Sequence, residues 1–406
     1  MKAKAMTKVS INNLALFGGS PAFDEALHVG RPNIGNRERL LERITDMLDR
    51  RWLTNNGPFV LELEQRLAEF LDVRYCIAMC NATVALEIAA RALGLHGEVI
   101  VPSFTFIATA HALQWQEITP VFCDVDPLTH NIDPAKIKNL ITPRTTGILG
   151  VHVWGRVCDV KTLQDISSKY NLRLMFDAAH AFACSHEGRM VGGFGNAEVF
   201  SFHATKFFNS FEGGAVTTND DVLARKIRDM RNFGFAGLDK VTDVGINGKM
   251  SEVSAAMGLT SFESMNEFIE VNYQNYQTYL RALKGLPGVH IVEYDPREQH
   301  NYQYIVLEVD DYIAGISRDL LVKILHAENV LARRYFYPGV HQMEPYRSYF
   351  PNAGLLLTET EKLTQKVLQL PNGTAVNEDE ILAICQLIRF SVESAHLITE
   401  KMGSQE

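Results

Sequence analysis

Residues 176–214 read FDAAHAFACSHEGRMVGGFGNAEVFSFHATKFFNSFEGG, and how this stretch divides decides the fold. Residues 172–176 are a short, mostly apolar run ending in Asp177, the pattern of a buried parallel strand with a carboxylate at its C-terminal tip. His180 lies about one helical turn further on. Residues 198–202 form a second strand that carries Ser201 and runs on to His203 and Lys206. The glycine pair Gly213 and Gly214 opens a third strand through Thr218. In open α/β sheets ligands sit outside the carboxyl ends of the strands, so a carboxylate from one strand end and a lysine beyond another converge on one crevice.

An amine facing a carboxylate across a crevice suits pyridoxal phosphate. The amine can form a Schiff base with the aldehyde, and the carboxylate can pair with the pyridine nitrogen. Two unit charges about 3 Å apart interact by roughly 5 kcal/mol at an effective dielectric of ~20, equivalent to about four pKa units. That would keep the ring nitrogen protonated at neutral pH. Taken singly, however, an Asp at a strand end is ordinarily a cap or turn residue, and a Lys ordinarily solvated surface.

At 406 residues, 46% apolar and 21% charged, the chain is long enough for two domains with a substantial core. A formal charge of -9 argues against nucleic acid or an anionic membrane as partner, so an anionic substrate must be held by local basic groups. The six cysteines are scattered without a CxxC, which predicts free thiols in a reducing compartment and no metal. The start MKAKAMTKVSINNLALFGG has no long apolar core, and no later run approaches the ~20 apolar residues of a membrane span, so a cytoplasmic location is expected.

In chain order, residues 1–36 read as an N-terminal arm, 37–267 as a large domain and 268–406 as a small C-terminal domain. Residues 11–36 are rich in Gly, Pro and Asn and predict an extended arm with turns; Arg31 is either a surface residue or an anion contact. Helices are expected over 37–52 and 59–71, joined by the turn LTNNGP. The strand 75–79 precedes Asn81-Ala82-Thr83, which caps an Ala-rich helix over 84–93. Such a helix N-terminus suits a phosphate, although Thr83 could equally be an ordinary cap. After the strand 98–101, residues 103–106 start the helix that carries His111 and Trp115. Strands over 121–125 and 147–153 follow, with Trp154 and Gly155 lining the crevice. The repeated strand-then-helix order through residue 220 implies a doubly wound, largely parallel sheet. Residues 231–250 lose the apolar period until Ser251 and Glu252 begin a helix. Beyond Phe268 a long helix, strands over 289–293 and 302–309, and helices over 320–327, 359–370 and 378–388 make the smaller α/β domain. Between them ARRYFYPGVHQMEPY (332–346) is a loop rich in donors and positive charge.

DAAH (177–180), SFHATK (201–206) and EGGA (212–215), in this order and spacing, resemble the sugar aminotransferases of the DegT/DnrJ/EryC1/StrS group, within the aspartate aminotransferase (fold type I) superfamily. The resemblance implies pyridoxal 5'-phosphate held on Lys206, with Asp177 on its ring nitrogen, His180 orienting the ring or its phenolic oxygen, and Ser201 on the phosphate. CNATVAL (80–86) is similar to the family's first phosphate-binding turn, which implies phosphate contacts from the Thr83 and Val84 amides. The family's stacking aromatic maps to Phe106, although Phe104 lies two residues away and a core role stays open.

Similarity of residues 245–252 to GxNxKMSE implies that Asn247 reaches the neighbouring subunit's phosphate, making a homodimer with shared active sites. The 332–346 loop looks like the one that closes over substrate, which suggests Arg333, Tyr335 and His341, with His203, as substrate contacts. Glutamate is the implied amino donor. The LFGGSPAF and VGRPN segments and this loop are similar to the subgroup acting at C4 of dTDP-4-keto-6-deoxyglucose, which implies deoxyamino sugar biosynthesis for O-antigen or lipopolysaccharide. A C3 aminotransferase, a UDP-sugar enzyme, a non-catalytic cofactor-binding regulator and a lyase or desulfurase are the alternatives. Dehydratase-like relatives carry His where this chain has Lys206.

Overall fold

Within Arg173–Asp177, Leu174 and Phe176 turn to one apolar layer and Met175 to the other, the two-residue alternation of a strand buried on both faces. The computed structural model, which describes residues 8–403, repeats this pattern across a seven-stranded sheet. Its order is Tyr75–Met79, Gly214–Thr218, Ala197–Ser201, Arg173–Asp177, Thr145–Val151, Glu98–Pro102, Thr119–Cys123. Gly214–Thr218 is antiparallel to both its neighbours, and the remaining pairings are parallel. Helices Arg37–Arg50, Pro58–Leu71 and Glu252–Glu263 pack on one face. Ala82–Ala92, Ile107–Gln114 and Asp221–Arg231 pack on the other.

The turn LTNNGP is pinned from far along the chain. Helix Pro58–Leu71 has no side-chain cap of its own, and the Glu252 carboxylate accepts from the Phe59 and Val60 amides, both at 2.9 Å. A Cβ at position 57 would crowd that carboxylate, so a larger residue there would have to displace the Glu252 side chain that caps the helix.

Helix Met265–Leu283 leads into a three-stranded antiparallel sheet of Val289–Ile291, Ile305–Val309 and Val367–Leu370. Here the structure corrects two expectations. Residues 359–370 are not one helix: Thr358–Lys366 is helical, and the aliphatic run VLQL then pairs with Ile305–Glu308, where edge pairing outweighs one further helical turn. Nor do residues 11–28 stand apart as an arm. Leu14, Ala22, Phe23 and Leu27 are buried in the apolar cluster of the C-terminal half, and Leu27–His28 pairs in parallel with Val330–Leu331. The buried Glu328 carboxylate accepts from the Ala15 and Ala22 amides, both at 2.7 Å, and stands 2.9 Å from Lys8 Nζ.

A separate apolar cluster joins the two halves, with Phe104, Val151 and Trp154 meeting Tyr304, Val306 and Phe336. Among the described residues no single helix is long and apolar enough to cross a membrane, and no group of three or more His, Cys, Asp or Glu could hold a metal ion. All six cysteines are free thiols.

Candidate active site

The parallel strands deliver Met79, Pro102, Val151, Asp177 and Ser201 to one edge of the sheet. Because Gly214–Thr218 runs the other way, its first residue lies on that same edge. The edge is where residues 81–84, 103–106, 152–155, 177–180 and 201–206 gather.

Asp177 is 6% exposed. Its Oδ2 accepts from the Thr109 hydroxyl at 2.8 Å and its Oδ1 from the Ala179 amide at 3.0 Å. Burial pushes this carboxyl up, while the two hydrogen bonds and the nearby Lys206 and His152 pull it down. A buried carboxylate held by neutral donors is suited to a cationic partner. His180 Nδ1 accepts from the Trp154 amide at 3.2 Å, so the ring proton sits on Nε2. Burial, and then Lys206, hold the imidazole well below its usual pKa, which leaves a neutral ring with one N–H to give. Trp154, with its backbone at φ 63, stacks on His180 at 5.7 Å and 17°. Its indole is fully buried with Nε1 donating to His130 Nδ1 at 3.1 Å, so it backs His180 rather than lining the crevice as expected.

Lys206 sits on a turn closed by its own amide to the His203 carbonyl at 2.8 Å. The turn is clamped from two sides, by Asn33 Nδ2 on the Phe207 carbonyl and by Gln303 on the Phe207 amide and the Thr205 carbonyl. The half-buried amine donates to Tyr304 Oη at 2.9 Å. Burial brings it down to about 8, against the opposing influence of Asp177.

The helix N-terminus differs in detail from expectation. Helix Ala82–Ala92 is capped by Asn81 rather than Thr83, and Asn81 Oδ1 takes the Val84 amide at 2.8 Å. That amide is already engaged, so the expected Val84 phosphate contact is corrected: the free-pointing amides of the first turn precede it. Across from this turn, a Cβ on Gly214 would come within 2.8 Å of the Ala82 nitrogen and 2.7 Å of the Phe200 carbonyl oxygen, so only glycine leaves this cradle open. Half-buried Ser201 lies beside it. Burial sets the two phenylalanines apart. Phe104 is core, packed on Trp154 and Phe336, whereas Phe106 is 54% exposed and caps the helix Ile107–Gln114. Residues 103–106 are therefore not helical. The carboxylate, the neutral imidazole, the lysine and the cradle at a helix N-terminus fit the charge pattern of pyridoxal phosphate.

Other expected residues lie elsewhere. His341 is buried, with Nδ1 2.7 Å from Ser103 Oγ and Nε2 2.8 Å from Glu361 Oε1. Both nitrogens are spent fastening the 332–346 loop, which corrects its assignment as a substrate contact. His203 is exposed and turned to its own loop, 2.9 Å from Thr205 Oγ1 and 3.5 Å from Glu212. The exposed Arg333 guanidinium lies 4.9 Å from the Tyr335 ring centre. Tyr335 stacks on Phe336, which stacks on Trp154 at 5.2 Å, so this loop connects to the crevice through a column of rings. Asn247 is exposed. Thr109 and Tyr304 escaped the sequence reading. The four-residue spacing of Thr105 and Thr109 was a signal for the first, and the two hydroxyls lie 2.9 Å apart; the sequence around Tyr304 carries none.

Fold and site define the aspartate aminotransferase type of pyridoxal-phosphate-dependent enzyme. The chain belongs to the DegT/DnrJ/EryC1/StrS aminotransferase family, whose profile matches residues 35–389, and it is a sugar aminotransferase. It is 38% identical over 368 residues to dTDP-4-amino-4,6-dideoxy-D-glucose transaminase of Shigella dysenteriae, covering 90% of this chain and 99% of that protein. It is 32% identical to GDP-perosamine synthase of Caulobacter vibrioides, over 87% of this chain and 95% of that one. Among solved structures it is similar to DesI, determined in the presence of its TDP-sugar product, with a TM-score of 0.93 and 48% identity over 97% of this chain and 100% of DesI. PseC of Helicobacter pylori, an aminotransferase of pseudoaminic acid biosynthesis, matches with a TM-score of 0.85 and 26% identity over 91% and 100%.

Proposed function

We propose that the chain moves the amino group of L-glutamate to C4 of dTDP-4-keto-6-deoxy-D-glucose, giving dTDP-4-amino-4,6-dideoxy-D-glucose. The observation that carries this reading is the 48% identity, over nearly the full chain, to an aminotransferase solved with a TDP-sugar product. The names of the relatives at 38% and 36% identity point the same way.

Bound pyridoxal phosphate supplies an electron sink that stabilises a carbanion at the carbon bearing the amine. Lys206 would anchor it and, once freed, would carry the proton from the donor's amine-bearing carbon to the cofactor's carbon within the first half of the ping-pong cycle, and in the second half would carry a proton the opposite way, to C4 of the sugar. An amine brought to about 8 is poised for both tasks near neutral pH. Asp177 receives the ring nitrogen. His180 offers its Nε2 proton to the phenolic oxygen, and Phe106 covers the ring. Ser201 and the first turn of helix Ala82–Ala92, through Thr83, hold the phosphate together with Asn247 of the partner subunit. Arg333 and Tyr335, and more distantly His203, face the nucleotide sugar. The product is an amino-deoxysugar nucleotide for O-antigen or lipopolysaccharide assembly.

GDP-perosamine synthases among the relatives supply a second reading, in which the nucleotide is GDP. Incubation with glutamate and a panel of dTDP-, UDP- and GDP-linked 3-keto and 4-keto sugars, with NMR of the products, tests both. Amination of the dTDP sugar at C4 is the expected result; a C3 amine, or faster turnover of a UDP or GDP sugar, defeats the assignment. Sharing of sites has its own test. Mixing Lys206→Ala chains with Asn247→Ala chains should recover about a quarter of wild-type activity, because half of the dimers are hybrids with one intact site. Activity no greater than the mean of the two parents would mean that each chain completes its own site.

A further inference from the structure

Tyr304 stands immediately before the strand Ile305–Val309 of the C-terminal half, yet its hydroxyl meets the lysine of the other half, 2.9 Å from Nζ. The phenol is buried and its place is over-determined. Tyr294 Oη donates to the Tyr304 carbonyl oxygen at 2.9 Å and to that of Trp154 at 3.3 Å. The Tyr304 ring packs 4.3 Å from His180 and 5.5 Å from Trp154, centre to centre. Gln303, its neighbour, clamps the lysine turn. Resting on the reading of Lys206 as the proton carrier, we propose that Tyr304 is a positioning residue for transamination, accepting one N–H of the free amine and so fixing the direction of its lone pair.

The hydroxyl oxygen can accept from the neutral amine and from the ammonium alike, so Lys206 keeps one anchor through both protonation states. The proton that Lys206 takes up it later gives back. Tyr304 keeps its own throughout, since burial holds the phenol well above its usual pKa. The anchor crosses between the two halves, so the aim of the amine depends on how the C-terminal half is seated.

Tyr304→Phe keeps the ring packing and removes only the hydroxyl. In the holoenzyme kcat should fall about 10- to 100-fold, with KM for both substrates within about twofold of wild type. In the full-length chain without cofactor, the pH midpoint for acetylation of Lys206, read by peptide mass, should drop by about one unit from near 8, because the hydroxyl favours the ammonium. A purely packing role moves neither. Either readout left at its wild-type value overturns the inference. Lys206→Ala assayed alongside separates the two layers. If it stays active, both the proton-carrier reading and this inference fall; if it is inactive while Tyr304→Phe is normal, only this inference falls.

Discussion

Lys206→Ala should yield a folded protein that has lost the yellow absorbance of the cofactor-loaded enzyme and essentially all transamination. The substitution removes the group that joins the cofactor and the base that moves the proton. Positioned acid–base groups alone contribute about 10²–10⁴-fold, and loss of the covalent anchor adds to that. The fold should not suffer. The amine is half-buried, its hydrogen bond goes to a single hydroxyl, and its lowered pKa shows that burial disfavours its charge. The clamps on the surrounding turn run through the backbone of residues 205 and 207 and remain in place. Absorbance retained at the same wavelength would remove Lys206 from the chemistry.

Asp177→Asn should bind the cofactor nearly as well and turn over roughly 10³-fold more slowly, with the loss in kcat rather than KM. The size follows from the charge pair, roughly 5 kcal/mol at an effective dielectric of ~20, discounted for the burial that already raises this carboxyl. The hydrogen-bond frame tolerates the exchange. An amide oxygen can keep the Ala179 N–H, and the Thr109 hydroxyl can reverse, accepting from the new amide and donating to Thr105. Cofactor content and kcat measured on the same preparation decide the matter. A kcat within about tenfold of wild type would show that the ring nitrogen needs no anionic partner here.

Much of this site was legible because its residues end strands. Asp177 and Ser201 close short, mostly apolar runs that read as buried parallel strands, and parallel pairing brings their ends to one edge. What could not be read was contact between distant segments. Nothing local to IVLEV announces that Tyr304 will meet Lys206, 98 residues earlier. His341 looked like a free donor in a polar loop, but the chain spends it on Ser103 and Glu361. Thr83 carries a capping side chain like Asn81 two residues ahead, and the structure gives the cap to Asn81, whose Oδ1 takes the Val84 amide. Residues 11–36 read as an extended arm from their Gly, Pro and Asn content, yet Leu14, Ala22, Phe23 and Leu27 join a core built from the C-terminal half.

That last pairing bears on how the polypeptide is made. The amides of Ala15 and Ala22 wait for Glu328, which lies 313 and 306 residues later. At 5–20 residues per second, the ribosome takes on the order of 15–60 s to cover that interval. Throughout it Leu14, Phe23 and Leu27 have emerged without their binding partners, while the sheet that carries the lysine can already assemble. Until residue 328 is made, the nascent chain therefore carries these apolar side chains and amides without the partners that cover them in the folded protein.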